Sequence, residues 1–180
     1  DKWMSSELIY KPKYILDKFF GDFGFNIDID HWNNDTEYNG RFQAKFEKCG
    51  MGYHDHVIDH NFNGVGKGGW GCVVFLNPNA SIDQGVLTAI PKIKPPSLLP
   101  EMRTGIYPNG DIFMNDTPNV CKGKNCNIDH EYYRHDMFIG NVYNRAVAFR
   151  GDTWHTGAWG FGDKITNARM IQTFFFREKK

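Results

Sequence analysis

The stretch Ala168-Arg169-Met170-Ile171-Gln172-Thr173-Phe174-Phe175-Phe176-Arg177 decides how this chain is built. Side chains alternate across a strand, so Arg169, Ile171, Thr173 and Phe175 share one face and Met170, Gln172, Phe174 and Phe176 the other. Both faces read as buried, which puts the strand inside a sheet covered on its two sides. Gly71-Cys72-Val73-Val74-Phe75-Leu76 is apolar on both parities in the same way and ends in the turn signal Asn77-Pro78. Further upstream, Phe42, Ala44 and Phe46 alternate with Gln43, Lys45 and Glu47, the pattern of a strand with one wet face. Residues 142–150 make another strand, separated from the last by a Gly- and Trp-rich bend.

Before these strands, Ile15, Leu16, Phe19 and Phe20 have helical spacing, with Pro12 suited to a first turn and Gly21 to a stop. One short N-terminal helix is expected. Six prolines between Pro91 and Pro118 stand among polar residues and point to a long excursion outside the core over residues 91–131. The expected organisation is a single domain over residues 1–180, with core strands in about 41–78 and 142–177 and a loop region over about 86–141. Many short strands with one early helix predict a mainly β fold, a sandwich or barrel flanked by helix.

The 21 basic and 21 acidic residues cancel, so no global field draws nucleic acid or an anionic membrane; a small-molecule or peptide substrate is the expected partner. No apolar run approaches the roughly 20 residues that span a bilayer. Asp1-Lys2-Trp3 lacks the basic-then-apolar pattern of a signal peptide, and the expectation is a soluble, cytoplasmic or otherwise intracellular protein. The chain does not open on methionine, which leaves room for a trimmed leader or a larger parent chain. Of four cysteines, Cys72 lies in an apolar strand where a free thiol packs well, and reduced thiols are expected throughout. Cys121 and Cys126, four residues apart, could instead close a loop or hold zinc.

Chemistry concentrates in Tyr53-His54-Asp55-His56-Val57-Ile58-Asp59-His60, where three imidazoles and two carboxylates fall within seven residues at the entry to a Gly-rich loop. Iron(II) that activates dioxygen needs three protein ligands on one face, commonly two imidazoles and a carboxylate. A polar surface turn would hold the same residue types. His155 follows a strand, and Arg169 stands in an otherwise apolar one. A buried guanidinium calls for an anion, and its fork matches a carboxylate in two hydrogen bonds; the anion could be a structural Asp or Glu or a dicarboxylic cosubstrate.

The stretch Tyr143-Asn144-Arg145-Ala146-Val147-Ala148-Phe149-Arg150-Gly151-Asp152-Thr153-Trp154-His155-Thr156-Gly157, with Phe161-Gly162-Asp163 and the Arg169-to-Phe176 strand, resembles the C-terminal half of the prolyl-hydroxylase-like 2-oxoglutarate and Fe(II)-dependent oxygenase superfamily. The resemblance covers residues 42–176, with little match over 86–141. It implies a double-stranded β-helix (jelly-roll) fold, Fe(II) and 2-oxoglutarate as cofactor and cosubstrate, O2 as oxidant, and a hydroxylated substrate with release of succinate and CO2. It further implies His155 as the distal metal ligand and Arg169 as the anchor of the cosubstrate's far carboxylate. Thr173 or Tyr107 would add a hydrogen bond, and Trp154, Trp159 and Phe161 could line the pocket. The family's first metal motif is a histidine and an aspartate separated by one residue, whereas His56 and Asp59 have two between them. In a regular strand these would point to opposite faces, so a bulge or loop onset has to bring them together. The preferred ligand set is His56, Asp59 and His155, with His54 and His60 as alternatives in the first motif. Competing readings are a cupin-like metal-binding β-barrel and a catalytically inactive relative that acts as a binding module.

Overall fold

The computed structural model describes residues 3–34, 39–46, 56, 69–91, 104–106, 112–114, 133–157 and 160–179. It is mainly β, with two principal antiparallel sheets and few helices. Among the described residues, the larger sheet has five strands in the order β1 (Trp3–Ile9), β2 (Arg41–Lys45), β10 (Arg169–Arg177), β3 (Gly69–Phe75) and β8 (Ala146–Arg150). The smaller has the order β7 (Tyr133–Ile139), β4 (Val86–Pro91) and β9 (Trp154–Gly157), and a short hairpin joins β5 (Thr104–Ile106) to β6 (Ile112–Met114).

The two faces of β10 carry two different cores, as its alternation predicts. Phe174 and Phe176 meet Phe19 of helix α1 (Lys13–Phe23) and Trp32 of helix α2 (Ile29–Asn34). Trp32 stacks on Phe174 with ring centroids 5.6 Å apart, and Phe19 meets the same ring edge-on at 5.4 Å. On the opposite face, Ile171 packs with Phe75, Val147 and Phe149 of the large sheet and Val86 of the small one. Helices therefore cover one side of the large sheet and the small sheet the other. Buried amides stitch the helical side: Asn39 donates to the Trp32 carbonyl at 3.1 Å and accepts from the Phe175 N–H at 3.2 Å.

Four expectations change. The helix begins at Lys13 but runs through Gly21 and ends at Gly24, whose φ of +69° closes it in the left-handed region that glycine occupies without strain. A strand precedes it and a second helix follows it, neither signalled by periodicity. The region read as loop over 86–141 contributes β4 and β7 to the small sheet. The face of β2 read as wet is buried: Gln43 and Lys45 look into the space between the sheets, because β2 is paired on both sides and the small sheet covers that face.

Cys72 is a free thiol fully buried in β3, and loss of hydration on burial pushes it up from 9.0 to about 12, opposed by a backbone hydrogen bond at Val147. Raised in the fold, this group keeps its proton where an unfolded thiol ionises, so its titration leaves stability unchanged below pH 9 and lowers it from there towards 12. We expect Cys72 to resist an aromatic disulfide reagent at pH 8 in native protein and to react on unfolding. Rapid labelling of the folded chain at this residue, located by peptide mapping, would contradict the packing. Cys49, Cys121 and Cys126, with the loop or zinc site expected of the last two, lie outside the described residues.

No helix among the described residues is long and apolar enough to cross a membrane.

Candidate metal centre

Four residues at the end of β8 place two histidines. Arg150 to Thr153 form a turn closed by the Thr153 N–H donating to the Arg150 carbonyl at 2.9 Å, and Gly151 N–H donates to the Gly69 carbonyl of β3 at 2.7 Å. The Gly151 carbonyl accepts from the backbone N–H of His56 at 2.8 Å. The Thr153 carbonyl lies 2.9 Å from Nδ1 of His155. A carbonyl only accepts, so Nδ1 of His155 carries the proton and the lone pair sits on Nε2.

The two imidazoles then meet with Nε2 to Nε2 3.2 Å and ring centroids 4.9 Å apart, 99 residues distant in sequence. Adjacent ligands bound to one ion at about 2.1 Å stand roughly 3 Å apart, so this pair fits two neighbouring positions on a metal. Rings wall the pair off: Phe149 lies 4.1 Å from His155 and Phe175 lies 4.7 Å from His56, centroid to centroid. His155 itself is buried at 5% exposure. It stands on β9, directly opposite Thr88 of β4, so it belongs to a strand of the small sheet and not to the bend that the sequence predicts.

Gly71 makes room for this arrangement. A methyl group there would lie 2.8 Å from Cε2 of Phe149 and 3.4 Å from Cδ2 of His56. Gly71→Ala should displace Phe149 towards the histidines at a cost of about 1–3 kcal/mol in stability and weaken metal binding by about tenfold. Iron titration beside thermal melting checks this, and unchanged metal affinity would show that the space at Gly71 is not needed.

The second half of the site is two residues further along β9, where alternation returns the chain to the same face about 7 Å from His155. There Gly157 meets two cations. A methyl group on it would lie 3.0 Å from Nζ of Lys45 and 3.1 Å from Nη1 of Arg169, which places the two nitrogens within about 6 Å of each other. Lys45 and Arg169 face each other across the β2–β10 ladder, and their exposures are 3% and 0%. Charges so close repel by roughly 3 kcal/mol at an effective dielectric of about 20, a cost that an anion set between them reverses. Arg169 is held in position from several sides. It donates through Nη2 to the Gly85 carbonyl at 3.0 Å and lies over the Phe75 ring at 5.8 Å. Asn77, which in sequence marks only a turn, grips the peptide groups on either side of it, accepting from Met170 N–H at 2.6 Å and donating to the Ala168 carbonyl at 2.9 Å.

Of the residues expected to form the site, the structure brings together His56 and His155, and sets Arg169 beyond them on the same inner surface. Thr173 shares the inner face of β10 but stands four residues, or about 13 Å, along it from Arg169; its hydroxyl lies 3.4 Å from Nε2 of Gln43 and from the Arg41 carbonyl. Trp154 is half-buried on β9 at the position next to His155, where alternation turns it to the other face, and Phe161 is half-buried beyond that strand. His54, Asp55, Asp59, His60, Tyr107 and Trp159 lie outside the described residues, and among the described residues no group of three or more His, Cys, Asp or Glu side chains converges. Lys45 is a site residue that the sequence pattern does not reveal. Compared with models of known protein families, with curated proteins and with solved structures, the chain matches none.

Proposed function

We propose that this protein is a non-haem iron(II), 2-oxoglutarate-dependent oxygenase that hydroxylates a small molecule or peptide and releases succinate and CO2. The observation that carries the reading is the His56–His155 pair, whose ε-nitrogens converge at 3.2 Å while the Thr153 carbonyl fixes the tautomer that ligation requires. The arrangement of strands supports a double-stranded β-helix: β8, β9 and β10 step from the large sheet to the small and back, the crossing by which a jelly roll is wound.

In this reading His56 and His155 hold iron(II), with Asp59 as the carboxylate ligand. Iron, 2-oxoglutarate and dioxygen supply the oxidising chemistry between them, and the chain supplies placement and dryness. Arg169 pairs with the far carboxylate of 2-oxoglutarate, its guanidinium aimed by the Gly85 carbonyl and by Asn77 at its backbone. Phe149 and Phe175 keep water from the imidazoles, which strengthens every charge interaction inside. His155 holds its proton on Nδ1 throughout, because the Thr153 carbonyl cannot take it.

Mixing the protein with iron(II) and 2-oxoglutarate without oxygen should produce the visible charge-transfer band of the chelate. Iron bound with no band on adding 2-oxoglutarate would replace this reading with that of a metal-binding β-barrel, and no iron bound with that of an inactive relative. Loss of the band in Asp59→Ala but not in Asp55→Ala identifies the carboxylate.

A further inference from the structure

We propose that Lys45 and Arg169 form a two-cation cradle over Gly157 that takes the far carboxylate of a dicarboxylic acid, and that Lys45 makes the protein select for that second carboxylate. The inference rests on the oxygenase reading for the identity of the acid, but the cradle is argued from three observations independent of it. Both cations are buried, Lys45 at 3% and Arg169 at 0%, on directly paired positions of adjacent strands. Both point their charged ends at one glycine, whose absent side chain leaves open the place between them: a single methyl group there would sit 3.0 Å from one nitrogen and 3.1 Å from the other. That is hydrogen-bonding distance for an oxygen in the same place. Finally, the glycine lies two residues from His155 on the same face of a four-residue strand, so an acid anchored here presents its other end to the imidazole pair.

The chemistry favours a carboxylate. The guanidinium edge offers two parallel donors to the two oxygens of a planar group, and the ammonium, a point charge with three rotatable donors, supplements it. A monocarboxylic 2-oxo acid of equal chain length would leave both cations facing methyl hydrogens. Discrimination between the two acids is therefore the property that Lys45 controls, and Lys45 touches the acid's far end and not its reacting atoms.

The test measures affinity calorimetrically for 2-oxoglutarate, 2-oxovalerate and glutarate on metal-free protein, and repeats the first two with iron(II) under nitrogen. Wild-type protein should prefer 2-oxoglutarate to 2-oxovalerate by about 100-fold. Lys45→Met should cut that preference by about tenfold or more, and Lys45→Arg should retain most of it. Gly157→Ala keeps both cations and fills the cradle, so it should weaken 2-oxoglutarate as Lys45→Met does while its melting temperature shows the fold intact. An unchanged preference in Lys45→Met or Gly157→Ala overturns the cradle, and so does inorganic phosphate binding as tightly as glutarate in a Lys45-dependent manner. The two readings fail separately. A Lys45-dependent glutarate site with no chelate band sinks the oxygenase and leaves the cradle standing; a chelate band with wild-type affinity in Lys45→Met does the reverse.

Discussion

His155→Ala should abolish iron binding and reduce any 2-oxoglutarate-dependent turnover by more than about 100-fold, since loss of a group that merely orients a ligand already costs 10–100-fold. The substitution removes one of two ε-nitrogens that meet at 3.2 Å and leaves the Thr153 carbonyl without its imidazole donor. His56 cannot compensate, because its own backbone N–H is committed to the Gly151 carbonyl and its ring is set between Phe149 and Phe175. Iron titration followed by chelate absorbance is the direct measurement. Wild-type iron affinity in His155→Ala, in protein whose circular dichroism is unchanged, would mean that the imidazole pair is not a metal centre.

Phe174→Ala tests the opposite face of the same strand and should cost about 3–5 kcal/mol of folding stability. The ring is fully buried, stacked on Trp32 and met edge-on by Phe19, so its removal leaves a cavity bounded by β10 and both helices, in which neither partner ring can follow. Stabilities of small domains run to about 5–15 kcal/mol, so the variant should unfold at far lower urea than wild type. The same urea curve for Phe174→Leu should fall between the two. A midpoint that does not move in Phe174→Ala would show that the helical layer contributes little to holding the sheet.

The contrast between those two faces is legible in the amino-acid sequence. Period-two alternation over ten residues of β10 separates Arg169 from Met170 without ambiguity, and an arginine amid aromatic residues has to be explained by an anion. His155 is legible for a different reason, as part of a strand-and-turn pattern with a family likeness. Three kinds of information are not. Lys45 alternates with apolar residues as a solvent-facing lysine would, and period two cannot distinguish water from a polar interior. β9 has four residues, too few for any period, and the prolines near β4 mask a strand whose partners are supplied by tertiary pairing. The meeting of His56 with His155 spans 99 residues and depends on the turn between β8 and β9, whose two carbonyls act at positions that the sequence does not mark.

That turn also determines which changes of length the chain tolerates. Connections between strands commonly accept an extra residue, because loop closure costs little more for a slightly longer loop. Here an insertion after Asp152 would slide β9 by one position against β4, and every side chain on it would change sides. Trp154 would come to the place of His155, Thr156 to that of Gly157, and the imidazole would leave the space between the sheets. The Arg150-to-Thr153 segment thus behaves as a fixed spacer, to be read in units of single residues: homologous or engineered chains can vary what it is made of, but not how long it is.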